Sequence, residues 1–561
     1  MESLPLKTEV LIKTVKIKNV NSFPKIDYYN VVIVISAVIV HGLLLLNDGV
    51  YWDGWLIYDI FLEKDWNDYY LWTSEIGDLP IMSYFYRLLV KIFPGVIFGY
   101  KLVAFLSITF SALFVYMICN ELRLTNRKEN LFIALLSLSY PAYQVSVELC
   151  VNQYSVCYCF FLLACLIAVK SKSKERIFHY FLRLCSLALF IISFRVNSLL
   201  VFYFGFFLIL VFDIQRRWEF SSISDAFSKI IQRRLDYLML PFLYWIIVKF
   251  FFPAHAGYSG YNQPGGGSLL QIIYNFIMFL KNAVYAQLNT ALINLINLPV
   301  LLVLCLFTTY YIYLTNSLDD KVFFKQKLRP RSFLLFGFFL LVLGIFPYVA
   351  VGKVPLISGW RTRHALLIAL PMAIIIVSFG RLFFSNKKGS ISKIGFTFLV
   401  ILVLAFSLSS ITYYISWQAR WIKDRSVMTN LSDLKMKEDI SIFWIKDKFP
   451  VGGENYYRFY EWATMFKTVW GDESYIGLDQ KKYSTASLAS YKFSFNKRYN
   501  LSEFDPDGRH AALTIHRGVH QYSDLELSIR YLYYKWLSKT GLTKFLSGIT
   551  DIEIQPIPVS K

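Results

Sequence analysis

The sequence predicts an α-helical polytopic membrane protein with about eleven spans and a separate α/β domain at its C-terminus. Three observations lead there. Of 561 residues, 56% are apolar and only 17% charged, more apolar surface than a water-soluble fold can hide. Those residues cluster in long runs with few charges, and a helix needs about 20 of them to cross roughly 30 Å of hydrocarbon. Only structures that satisfy their own backbone survive there. Finally, the loops between the runs alternate between rich and poor in Lys and Arg, the pattern that fixes topology.

Taken in order, residues 1–28 carry five lysines ahead of the first run, 29–46. That run ends in Asn47-Asp48 without a small-residue cleavage site, so it reads as a retained anchor with a cytoplasmic N-terminal segment. Further spans are expected at 101–119, 131–147, 154–169, 182–194, 197–213, 237–252, 298–315, 334–351, 365–379 and 394–414. Basic loops at 120–130, 170–183, 214–236, 316–333 and 380–393 belong in the cytoplasm. Loops at 47–80, 141–153, 194–198, 253–268 and 352–364 then face outward, and an odd count of spans leaves residues 415–561 outside. The membrane domain is thus 29–414, with a first outer loop over 47–100. Within the last part, Ala511–Ile515 and Ile549–Ile557 alternate like strands and Leu525–Leu537 has helical spacing.

A net charge of +20 is spread over short blocks between apolar runs and not along one face, so nucleic acid is not an expected partner and the lipid bilayer is. All seven cysteines fall in or beside apolar runs, the last at Cys305, and read as packing residues. Asp505-Pro-Asp507-Gly508 reads as a turn in preference to a metal motif. The aromatic stretch from Tyr456 to Trp470 reads as domain core or membrane contact before it reads as an acceptor groove.

The main chemical signal follows the first span. Residues 47–80 hold eight acids against one base, Lys64, and include Asn47-Asp-Gly-Val-Tyr-Trp-Asp-Gly-Trp55. Apolar residues at helical spacing after Trp55 and again from Ile81 to Phe93 predict two helices lying in the interface. A carboxylate at the end of a membrane helix is placed to take a proton from a hydroxyl. Asp53, flanked by Trp52, Gly54 and Trp55, is the first candidate and Asp48 the second; glycine lets a ligand approach closely, and the indoles of Trp52 and Trp55 could stack on a sugar. Glu148, in the second outer loop, is a candidate ligand for an acceptor or a metal ion.

This arrangement of an anchor helix, an acidic outer loop with interfacial helices, many further spans and an outward C-terminal domain resembles the GT-C class of membrane glycosyltransferases. That class includes protein O-mannosyltransferases, lipid A aminoarabinose transferases and O-antigen-modifying glucosyltransferases. As architecture the resemblance covers nearly the whole chain; at motif level it covers Asp48 to Trp55, where the mannosyltransferases typically show an Asp-Glu pair and this sequence has Tyr-Trp-Asp-Gly-Trp. The resemblance implies transfer of a sugar from a polyprenyl-phosphate donor to an envelope glycan or lipid-linked acceptor, on the extracytoplasmic face of the plasma (inner) membrane. No cofactor is certain on this reading, and a divalent cation is left open.

A lipid phosphate needs cations at that depth. The outer loop Gly352-Lys-Val-Pro-Leu-Ile-Ser-Gly-Trp-Arg-Thr-Arg-His364 breaks the rule that outer loops here are poor in Lys and Arg. Arg361, Arg363, His364 and Lys353 are candidates for the donor phosphate, since guanidinium groups fork onto phosphate oxygens. Arg195, between two short apolar runs, is a further one, or a partner for an acid such as Glu148. The alternatives are an O-antigen-type polymerase or ligase, a transporter or flippase of lipid-linked saccharides, and a scaffold. Transport would call for several ionisable residues in mid-span, where His41 stands nearly alone, and a repeated half, which the sequence lacks.

Overall fold

Long apolar stretches become helices because the α-helix bonds every backbone group within its own segment. In the computed structural model the described residues are 27–63, 80–93, 96–171, 176–215, 223–255, 268–295, 329–385, 391–434, 440–451, 457–472, 474–484, 488, 505, 507–519 and 521–557. Among them, six helices are long and apolar enough to cross a membrane: Ile97–Glu121, Asn152–Lys170, Leu269–Leu295, Pro330–Val349, Trp360–Phe383 and Lys393–Ser432. Three shorter apolar helices accompany them, Tyr28–His41, Ile177–Ser193 and Ser198–Leu210.

This corrects the expectation of about eleven spans, and the differences have causes. The run 131–147 is cut by Pro141: the helix stops at Ser139, Tyr140 turns extended (ψ 131°), and a 3-10 turn follows at Gln144–Val147, as the clash of a proline ring with the preceding residue requires. The run 237–252 is part of a longer helix, Ile223–Phe251, that kinks at Arg234. Leu269–Leu295 was not expected, because Asn275, Lys281, Asn282, Gln287 and Asn289 interrupt its apolar run; it passes through a π-turn at Lys281–Tyr285. The expected span 298–315 lies outside the described residues.

Between the helices Tyr28–His41 and Ile97–Glu121 stand the two expected amphipathic helices, Gly54–Glu63 and Ile81–Ile92. Inside the bundle, His41 is wholly buried and satisfied, with Nδ1 2.8 Å from Tyr414 Oη and Nε2 2.9 Å from the Leu138 carbonyl. Lys101 is equally buried near the start of its helix, and Glu129 and Arg381 face each other at 3.6 Å near helix ends.

The helix Lys393–Ser432, here the stem helix, has 40 residues and so measures about 60 Å, twice a bilayer core. Its first part is apolar; from Gln418 onward it buries Arg420, Lys423 and Asp424 against the C-terminal part. The expected division at residue 414 therefore falls inside a continuous helix. Beyond it comes a four-stranded mixed sheet in the order β2-β1-β3-β4, with β1 Ile440–Asp447, β2 Ile476–Asp479, β3 Arg509–Arg517 and β4 Thr550–Ile557. β1 runs parallel to both β2 and β3, and β4 pairs antiparallel with β3. Helices Phe459–Trp470, Asp524–Leu537 and Lys539–Ser547 complete the domain. Both strands and the helix expected from the sequence are present, and Asp505 closes the expected turn by accepting from the Asp507 amide at 3.0 Å.

Candidate functional site

The site is built on the turn after the first helix. Asn47 Oδ1 accepts from the Gly49 amide at 2.9 Å, and the Tyr51 hydroxyl donates to the Trp417 carbonyl of the stem helix at 2.7 Å. Trp52 then takes a φ of 43°, a left-handed conformation that costs an indole-bearing residue about 1–2 kcal/mol. Its surroundings hold it there. The Trp52 amide donates to Glu461 Oε1 at 2.9 Å, and its ring lies edge-on to Trp417 (4.6 Å between centroids) and Trp360 (5.5 Å). The turn presents Asp53 at the mouth of helix Gly54–Glu63.

Two carboxylates meet here. Asp53 Oδ1 accepts from the Tyr460 hydroxyl and stands 3.7 Å from Arg458 Nη1; its side chain is 23% exposed. Glu148 is buried in the loop between the helices Arg127–Ser139 and Asn152–Lys170. Its Oε2 accepts from the Val151 amide at 2.7 Å, while Oε1 has no hydrogen-bond partner among the described residues. Gly54 allows this approach: a Cβ there would stand 2.7 Å from Glu148 Oε1. Burial first, and the Asp53 charge second, push the Glu148 carboxyl up to about 8, so at neutral pH it holds a proton. Lys101 reaches the same loop, donating to the Val147 carbonyl and to Asn47 Oδ1 at 3.3 Å.

Asp48 has a different setting. Its Oδ2 accepts from the Tyr531 hydroxyl at 2.8 Å and pairs with Lys535 at 3.0 Å and Arg425 at 3.9 Å. It ties the turn to the stem helix and the C-terminal domain, while Asp53 lies on the Glu148 side.

The cationic loop comes to the same place. Gly359, at φ 85°, turns the chain into the 3-10 segment Trp360–Ile368. Arg363 donates to the Trp360 carbonyl at 2.9 Å and lies 4.0 Å from the centre of the Trp360 ring, the ring that meets Trp52. Glu148, Asp53, Arg363 and Arg195 all lie near enough to Cys150 to act on it electrostatically. Burial and then Arg363 lower Lys353 to about 8. His364 is buried with its ring 4.9 Å from that of Tyr348, and Arg361 is exposed. Trp52 and Trp55 are each 1% exposed, Trp55 against Trp421 and Tyr58. Their indoles are packing, which corrects the expectation of open stacking faces. Among the described residues no group of three His, Cys, Asp or Glu side chains could hold a metal ion.

No protein-family model matches this sequence, and no curated protein matches it.

Sequence reasoning missed the residues that hold the centre together. Arg420 on the stem helix is fully buried, 2.8 Å from Glu461 Oε1, with Tyr457 and Trp52 rings at 4.8 and 5.3 Å. Glu461 also accepts from the Arg458 amide at 2.8 Å and so caps its own helix. The signal was present, in the Arg420–Asp424 charges directly after an apolar run and in Glu461 amid aromatics. Four of the eight acids of the first outer loop, Asp65, Asp68, Glu75 and Asp78, lie outside the described residues.

Proposed function

We propose that this chain is a membrane glycosyltransferase that moves a sugar from a polyprenyl-phosphate donor to an envelope glycan or lipid-linked acceptor, with the sheet-bearing end of the bundle facing outward. The observation that carries the reading is that the turn bearing Asp53 packs beside Glu148 at Gly54 and meets, through Trp52, the Trp360 ring on which Arg363 lies. In the reaction, the acceptor hydroxyl oxygen attacks C1 of the sugar from the face opposite the phosphate. The C1–oxygen bond to the phosphate breaks, polyprenyl phosphate leaves with the electron pair, and the hydroxyl proton passes to the Asp53 carboxylate. Inversion at C1 follows from that single displacement. Arg363, with Lys353 and Arg195 nearby, stabilises the charge growing on the departing phosphate. Glu148, holding its own proton, keeps a second negative charge away from Asp53.

The donor's tail has a matching surface. A groove of about 650 Å³ is lined almost wholly by apolar side chains, among them Leu280, Val284, Leu341, Met372 and Phe379, with Lys281 beside them. The stretch that forms one wall also carries the cationic loop, since Asn282 donates to the Pro355 carbonyl at 2.9 Å and Gln287 to the Ile357 carbonyl at 2.8 Å. An isoprenoid chain in the groove would lead its phosphate toward that loop.

The test is transfer from labelled polyprenyl-phosphate hexoses to extracted envelope glycans by the purified full chain in lipid nanodiscs. Asp53→Asn is expected to lower kcat by about 10²- to 10⁴-fold, and Arg363→Ala to raise the donor KM about tenfold. Unchanged turnover of Asp53→Asn would end the proposal.

A further inference from the structure

On the glycosyltransferase reading, we propose that the helix Phe459–Trp470 of the C-terminal domain is part of the reaction centre, Tyr460 and Arg458 acting as positioning residues that aim the Asp53 carboxylate. The domain would then complete the active site and not only guide an acceptor.

Three observations meet in this helix. Asp53 sits on the rim of a turn, a position from which an aspartate side chain can swing, and its Oδ1 is fixed from the far domain by the Tyr460 hydroxyl with Arg458 Nη1 3.7 Å away. The Tyr460 side chain is itself wholly buried, beside Phe459 and among Ile442, Trp444 and Leu478, so its hydroxyl has little freedom. The residue that follows, Glu461, locks the helix end to the membrane domain through the Trp52 amide at 2.9 Å and through Arg420 of the stem helix at 2.8 Å. Consecutive residues 460 and 461 thus grip consecutive residues 53 and 52. A second clasp beside it, the Tyr457 hydroxyl donating to Asp424 and Lys467 pairing with Asp59 at 3.1 Å, holds the same helix on the same surface. Ordinary docking between domains needs none of this at a catalytic acid. Among the described residues the contacts to Asp53 fall on Oδ1, and Oδ2 is the oxygen that receives the proton.

The experiment is a double-mutant cycle on transfer by the full chain in nanodiscs, with polyprenyl-phosphate hexoses as donor. Tyr460→Phe is expected to lower kcat roughly tenfold with the donor KM and the thermal unfolding midpoint unchanged. Combined with Asp53→Asn, it should lower the residual rate no further, because Tyr460 acts only through Asp53. Arg458→Lys should retain most of the rate that Arg458→Gln loses. Additive effects in the cycle, or a Tyr460→Phe enzyme with full kcat while Asp53→Asn is inactive, overturn this inference and leave the reaction standing. A wild-type chain without transfer, or an undiminished Asp53→Asn, removes the reaction itself and this inference with it.

Discussion

Replacing Glu148 by Gln should stabilise the protein in alkaline solution and scarcely at all in acid. The folded chain holds the Glu148 proton up to about pH 8, against 4.5 in an exposed glutamate. Each pH unit is worth about 1.4 kcal/mol, so the full difference amounts to about 5 kcal/mol at most, before water entry reduces it. The native state binds this proton more tightly than the unfolded chain does. Its contribution is therefore fully present below pH 4.5 and is lost progressively as the pH rises toward 8. Glutamine fills the same space and carries no charge to ionise. Thermal unfolding of the purified wild-type and Glu148→Gln chains, measured from pH 4.5 to 9 in one detergent, gives the comparison. The midpoint of the variant should be close to wild type at pH 4.5 and several degrees above it at pH 9. A difference that stays flat across that range, or one of opposite slope, would refute the account of Glu148 as a buried, protonated acid.

Three more outcomes are expected. Glu461→Gln removes the carboxylate that pairs with the buried Arg420 guanidinium and should cost about 1.5–3 kcal/mol, seen as a lower unfolding midpoint and faster proteolysis of the C-terminal domain. Trp52→Gly relieves a backbone strain of about 1–2 kcal/mol but removes an indole packed on Trp360 and Trp417, a loss of about 3–5 kcal/mol; net destabilisation in the same unfolding assay is expected. Asp48→Asn disrupts only partly exposed pairs with Lys535 and Arg425, worth about 1 kcal/mol or less, and should keep most of the transfer rate that Asp53→Asn loses.

The sequence displayed much of this architecture because apolar length and alternation act locally. The helices near 101–119, 154–169 and 334–351, the two helices after Trp55 and from Ile81, and the strand pair around Ala511 and Ile549 could be read directly. Where the reading failed, a local rule met a competing one: Pro141 ended a helix inside an apolar run, and amides hid the helix Leu269–Leu295. The turn at Asp53 stood out because acids and indoles are conspicuous beside an apolar run. Its partners did not, since Tyr460 and Glu461 lie some four hundred positions away and nothing periodic links them to it. Flanking glycine and indoles ranked Asp53 ahead of Asp48 in the sequence, but only the folded turn sends Asp48 toward Lys535 and Asp53 toward Tyr460 and Arg458.

The 40-residue stem helix makes the two halves of the molecule mechanically one. A tilt of its apolar portion, as when the surrounding bilayer thins or thickens, is passed directly to Arg420, Lys423 and Asp424 and to what packs on them, because one unbroken helix carries both. Trimming the chain at the edge of its apolar run would likewise strip the cover from Arg420, Lys423 and Asp424, so neither half should survive as an isolated fragment.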